Sequence, residues 1–293
     1  MIKTREIIIE RVAAAVGEVE LDNRGILPER TIAATGFSKR HVVSPGTTLL
    51  NLSMKAIEKL PADALCDVGG VVAATFSSER RFPALAASIA SRLSLPSLVP
   101  AFDLQMACSA YPYAVYLAAR MAGDLGKKVL VIDGDVQSSL SDPEDTETTP
   151  LFSDAATASI VSAGDEGLGA VNFYTRASDA LECGVSGPIK MDGFGVFSFV
   201  ATEVAPFLKE FLSEAGADVD AFIPHQANMY MVRQLAETLG LSDRLLTSGE
   251  EFANTGSASI PLTIAHRGKT GRALIAGFGA GLSASCAIVR IKI

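Results

Sequence analysis

The sequence predicts an α/β fold built on a mostly parallel sheet covered on both faces. Two features carry that reading: apolar runs with no polar alternation, and their regular exchange with helical patterns. The composition agrees, with 48% hydrophobic and 20% charged side chains over 293 residues and a mean hydropathy of +0.31. The excess lies in Ala, Val, Leu and Ile, and no run approaches the roughly 20 apolar residues of a membrane span. This length suits one large domain or two of about 150 residues, and the hydrophobic share excludes a disordered chain.

In chain order, VGGVVAATF (68–76) reads as a buried strand and FPALAASIASRL (82–93) as a helix. LVPAFDL (98–104) reads as strand, and the helix CSAYPYAVYLAARMAGDLG follows it, with Pro112 tolerable only in a first turn. KKVLVIDGD (127–135) is strand again, and the acidic DPEDTETT (142–149) is a surface turn. Residues 176–190 read as irregular. VFSFVATEVAPFLKEFLSEAG (196–216) is a helix with a kink at Pro206, VDAFIPHQAN a strand running into a loop, and MYMVRQLAETLGL (229–241) a helix closed by Gly240. GRALIAGFGAGLSASCAIVRIKI is two strands about a glycine turn. AFDLQMAC and AFIPHQAN each set a reactive or polar group after a strand, which suggests an internal duplication.

Several chemistries lack their residues: there is no HExxH, Walker A lysine, CxxC or GxSxG motif. GFGAG (277–281) is followed by a strand and not the helix that dinucleotide binding needs. No metal or cofactor is expected. A net charge of −8 argues against nucleic acid and anionic membranes as main partners. MIKTREIIIERV is too charged for a secretory signal, and Cys66, Cys108, Cys183 and Cys286 have neither metal spacing nor framework density. Free thiols in a reducing cytoplasm are therefore expected.

Three residues remain for chemistry. Cys108 opens a helix, where unpaired N–H groups favour a thiolate; a lone cysteine is equally a small buried hydrophobe. His225 stands where an apolar strand ends, a usual place for α/β sites, or it satisfies a loop. Asn254, among small turn-forming residues, is a donor or an Asx turn. His41 and His266 read as surface groups.

Together, AFDLQMACSAY, IPHQAN, ANTGSASIP and the closing GFGAGLSASCAIVR stand in an order that resembles the β-ketoacyl-acyl carrier protein (ACP) synthase III family of the thiolase superfamily. LFSDAATASIV, MDGFGVF and TGFSKRHVV are similar to further family segments, so the resemblance runs from about Gly36 to Arg290. It implies a thiolase-like five-layer α-β-α-β-α fold with two pseudo-symmetric halves, residues 1–165 carrying Cys108 and 166–293 carrying His225 and Asn254.

The resemblance also implies a reaction. Cys108 takes an acyl group from acyl-CoA or acyl-ACP, with the backbone N–H groups of Cys108 and Ala280 as oxyanion donors. Malonyl-ACP then loses CO₂, His225 and Asn254 donate to the enolate oxygen, and the carbanion attacks the acyl-Cys. Phe82 and Phe278 match acyl-pocket residues, Phe82 reaching across a dimer interface, and Asn228 and Gly193 match the pantetheine side. A homodimer through strands near Val71–Phe76 is expected, or a hetero-oligomer with another ketosynthase-like chain.

Departures bear on substrate. The family's adenine clamp reads Arg30 and Ala34, and a nucleotide-contacting arginine reads Thr146. The arginine after HQAN is replaced, Arg233 being nearest, and two docking basics read Glu237 and Thr238. Usual glycines are Ala110, Ala155 and Ala280, the first glycine-rich turn is missing, and the segment 176–190 is short. Alternatives are a non-decarboxylating acyltransferase and a non-catalytic partner subunit. Asn254 favours condensation over the first, and the retained Cys108 and His225 disfavour the second.

Overall fold

The fold is described from a computed structural model covering residues 1–185 and 187–293. Two sheets of five strands carry the molecule. The first orders β2 (Ile7–Val16), β8 (Ala155–Ala163), β7 (Lys128–Asp135), β5 (Val68–Ala74) and β6 (Ala101–Leu104). The second orders β1 (Ile2–Thr4), β9 (Gly169–Thr175), β14 (Ser283–Ile291), β13 (Gly271–Gly279) and β12 (Ala221–Pro224). A short parallel pairing of Val289–Ile291 with Ile7–Ile9 joins them into one continuous sheet. Two small antiparallel pairs lie outside it: β3 (Val19–Asp22) with β4 (Lys39–Val42), and β10 (Leu181–Cys183) with β11 (Ile189–Met191).

The missing polar alternation has its cause in five layers. On β7, Val129 and Val131 face a central core with the helix Ala110–Leu125 and Ile260 and Ile264 of the helix Ser259–Arg267. Leu130 and Ile132, on the opposite face, pack against the outer helices Leu49–Ile57 and Leu85–Arg92. Leu274 and Ala276 of β13 likewise face an outer core with the helices Ala205–Ala215 and Met229–Leu239. Both faces of each sheet are thus dry, and the order of layers is α-β-α-β-α. Burying one Val or Leu side chain in this way contributes roughly 1.5–3 kcal/mol.

The structure corrects several expectations. Val71–Ala74 lie inside the sheet between β6 and β7, so the free edge is β6 and not the strand near Val71–Phe76. The strand orders β2-β8-β7-β5 and β9-β14-β13-β12 correspond in sequence and direction. By that correspondence β12, which leads to His225, answers to β5 and not to the AFDL strand that leads to Cys108. The helix expected over 196–216 is Gly193–Phe199, a wide π turn Val200–Val204, then Ala205–Ala215. Pro206 has no N–H to donate, and the wider turn absorbs the break. The segment 176–190 is not wholly irregular, since β10 and part of β11 fall within it. Among the described residues, no helix is long and apolar enough to cross a membrane.

Candidate active site

The chain turns sharply between β6 and the central helix. Ala107 takes a left-handed φ of 42°, and a single 3₁₀ turn, Ala107–Ser109, presents Cys108 before the helix begins at Ala110. Ser285 Oγ donates to the Ser109 carbonyl at 2.7 Å, and the Ser109 and Ser283 hydroxyls meet at 2.7 Å, latching this turn to β14. The GFGAG glycines are packing glycines. A Cβ on Gly277 would stand 2.8 Å from the Cys108 carbonyl oxygen, and one on Gly279 would stand 3.3 Å from Cys108 Sγ.

Cys108 sits where two cavities meet. One, of about 160 Å³, is lined by Phe76, Gln137, Phe152, Leu181, Ile189 and Ala280. The other, of about 70 Å³, brings Cys108 together with His225, Asn254, Asn228, Gly193 and Phe278. Among the described residues, neither is lined by Lys or Arg. The backbone groups of Ala280 and Cys108 favour the charged form of the sulfur. Burial nevertheless pushes the thiol up to about 12, outweighing both. The helix-terminus argument therefore gives the wrong resting state: desolvation of the charged form outweighs the local dipole, and Asp135 and Asp133 add repulsion.

His225 lies 1% exposed at the end of β12. Its Nδ1 is 2.9 Å from the Gly256 carbonyl and 2.9 Å from Ser259 Oγ, which accepts from the Gln226 N–H at 3.1 Å. A carbonyl can only accept, so Nδ1 carries the proton and donates. Burial lowers the ring pKa to about 4, so the ring is neutral. In that tautomer Nε2 is a bare acceptor, at odds with the expectation that His225 donates to the enolate oxygen. Asn254 is oriented by the same glycine: the Gly256 N–H donates to its Oδ1 at 2.9 Å, which turns the NH₂ group away from that bond. Gln137 Nε2 holds the Asn254 carbonyl at 2.9 Å.

The remaining expected residues divide. Asn228 caps the helix Met229–Leu239 through its Oδ1, which accepts from the Met231 N–H at 2.7 Å, and it lines the cavity with Gly193. Phe278 is buried edge-on to His225 at 5.6 Å and lies on the His225 side, away from the larger cavity. Phe82 is 85% exposed and lines neither cavity within one chain. His41 is half-buried against Phe252 and is not the surface residue expected. Sequence reasoning missed Gly256, Ser259 and Gln137, which hold the site from behind. It also passed over Asp133 and Asp135, although two acids at alternate positions in an otherwise apolar strand are a readable signal.

The layers and strand order define a protein of the thiolase-fold class. A model for the C-terminal part of 3-oxoacyl-ACP synthase III matches residues 213–291, and a second 3-oxoacyl-ACP synthase III model matches residues 102–178. A β-ketoacyl-ACP synthase III of Streptomyces coelicolor is 37% identical over 275 residues, covering 87% of this chain and 83% of that protein. The crystal structure of a 3-oxoacyl-ACP synthase III from Pseudomonas aeruginosa superposes with a TM-score of 0.88 at 27% identity, covering 99% of each chain. A priming β-ketosynthase of the R1128 polyketide pathway gives 0.86 at 27% identity, covering 99% of this chain and 98% of its own. The chain belongs to the 3-oxoacyl-ACP synthase III family.

Proposed function

We propose that the protein is a decarboxylating ketosynthase that loads an acyl group on Cys108 and condenses it with a malonyl thioester. The observation that carries this is the meeting of Cys108, His225 and Asn254 on one cavity. Family membership supports the same reading.

The first half-reaction begins from a neutral thiol. His225 Nε2, the bare ring nitrogen, takes the Cys108 proton as the sulfur attacks the thioester carbonyl carbon. The backbone N–H groups of Cys108 and Ala280 hold the oxyanion. Collapse expels the donor thiolate, which recovers the proton from His225, so the products are acyl-Cys108 and a free thiol.

A malonyl thioester then takes the donor's place. Its carboxylate enters a chamber lined, among the described residues, by neither Lys nor Arg. The bond to the carboxylate breaks, CO₂ leaves, and the electron pair enters the thioester as an enolate. The Asn254 NH₂ group donates to the enolate oxygen. The carbanion attacks acyl-Cys108, and the thiolate leaves as the 3-oxoacyl thioester forms. The donor is acyl-CoA or acyl-ACP and the extender malonyl-ACP in this reading, whose coarser form is an acyltransferase.

We also read a homodimer through the β6 edge. Phe102 of β6 is 38% exposed, and Phe82 and Leu98 are exposed nearby in the chain, which supports an unfilled contact. The division at residues 165 and 166 into two related halves belongs to the same reading.

The test is product and CO₂ release from an acyl donor with malonyl-ACP. Asn254→Ala should lower decarboxylation by roughly 10²–10³ while still acylating. His225→Ala should slow acylation as well, because the proton acceptor is gone. A wild type that acylates without ever releasing CO₂ points to the simple acyltransferase.

A further inference from the structure

Asp133 is 0% exposed near the end of β7, in a strand otherwise apolar from Val129 to Ile132. One carboxyl oxygen, Oδ1, accepts from Ser257 Oγ at 2.5 Å. The other, Oδ2, is buried with no hydrogen-bond partner among the described residues. Such a carboxyl costs stability: burial in a strand of Val and Ile offers nothing to its second oxygen, and an apolar pair of the same shape would serve the core as well. Burial also holds its pKa well above the ordinary carboxylate range, with Asp135 adding repulsion.

What Ser257 carries explains the arrangement. Its own N–H shares a peptide plane with the Gly256 carbonyl, the group that accepts from His225 Nδ1. The preceding peptide carries the Gly256 N–H, which donates to Asn254 Oδ1. Both reactive side chains are therefore oriented by one glycine with a left-handed φ of 63°. Glycine permits that conformation but does not hold it, since it is free on both sides of φ = 0. An external anchor is needed, and the Ser257–Asp133 bond ties this turn to a fully buried residue of the sheet.

We infer that Asp133 is a positioning residue for His225 and Asn254, acting through Ser257 and the two peptides of Gly256. The inference rests on the roles proposed above for those two side chains. It separates from ordinary core packing because its effect must pass through them.

The test compares malonyl-ACP decarboxylation in Asp133→Ala, Ser257→Ala and Asp133→Asn, with Asn254→Ala as a second background. Misplacement of a reacting group by a fraction of an ångström predicts a loss of roughly tenfold to a hundredfold in the two alanine variants. Asp133→Asn, which keeps a neutral acceptor for Ser257, should recover most of the activity. In the Asn254→Ala background, adding Ser257→Ala should lower residual decarboxylation much less than it does in the wild type, because the enolate donor that it positions is already gone. Ser257→Ala removes one buried hydroxyl and keeps the test open if Asp133→Ala does not fold. Full additivity of the two losses, or an Asp133→Asn variant as poor as alanine, overturns the inference. A wild type inert toward malonyl-ACP overturns the proposed function itself, a result no variant can mimic.

Discussion

The floor and the rim of the active-site cavity are built on different terms. On the floor, buried polar groups orient one another: Gly256 faces His225 and Asn254, Gln137 holds the Asn254 carbonyl, and Asp133 holds Ser257. At the rim, Phe194 next to Gly193 is 80% exposed, and Tyr230 next to the Asn228-capped turn is 52% exposed and stacked on Phe197 at 6.2 Å. Arg233, the cation nearest in sequence, is bonded to Glu250 at 2.7 Å. Under the proposed function, buried and mutually oriented groups set the chemistry, whereas the carrier meets an exposed aromatic ledge.

On the floor, the sharpest thermodynamic prediction concerns opposed titrations. Burial raises Asp135 to about 6, despite bonds from Thr75, Phe76 and Ser77, so the folded chain holds this proton longer than the unfolded one. Its contribution falls as pH rises from about 4 to 6. His225, lowered to about 4, contributes stability that is complete above the unfolded value near 6.5 and is lost as pH falls toward 4. Asp135→Asn removes the falling component and leaves the rising one. Between pH 4 and 6, urea unfolding should show stability climbing with pH more steeply than in the wild type, by up to about 1.4 kcal/mol per pH unit. Equal slopes would mean that Asp135 titrates in the folded chain as it does in water.

At the rim the expected effect is smaller and depends on salt. Tyr230→Arg should raise the rate with an acidic carrier protein by up to about tenfold at low ionic strength. The gain should fade near 0.5 M salt, where screening is short-ranged. A malonyl-pantetheine substrate, lacking the protein, should be used at the wild-type rate. An equal gain with malonyl-pantetheine would place Tyr230 in the reaction chamber and dissolve the distinction between floor and rim.

This contrast also marks how far the sequence can be read. Cys108, His225 and Asn254 were legible because each stands at the end of an element and because a thiol, an imidazole and a carboxamide are chemically distinct. The layers were legible because strands covered on both faces, such as Val129–Ile132, cannot alternate. What was hidden depends on long-range neighbours. The Cys108 protonation state follows from burial that only the assembled cavity imposes. The His225 tautomer follows from a carbonyl 31 residues away. The partner of Asp133 is Ser257, 124 residues later in the chain. The position of β6 at the edge depended on strand order, which local pattern does not encode.

The account turns on the sulfur of Cys108, and intact-protein mass spectrometry tests it most directly. After incubation with a panel of acyl-CoA and acyl-ACP donors, the wild type should gain one acyl mass, released by hydroxylamine and mapped to the peptide containing Cys108. Cys108→Ala should gain none, although Cys66 and Cys183 remain exposed. An adduct that persists in Cys108→Ala, or a wild type that takes up no acyl group from any donor, would contradict the account.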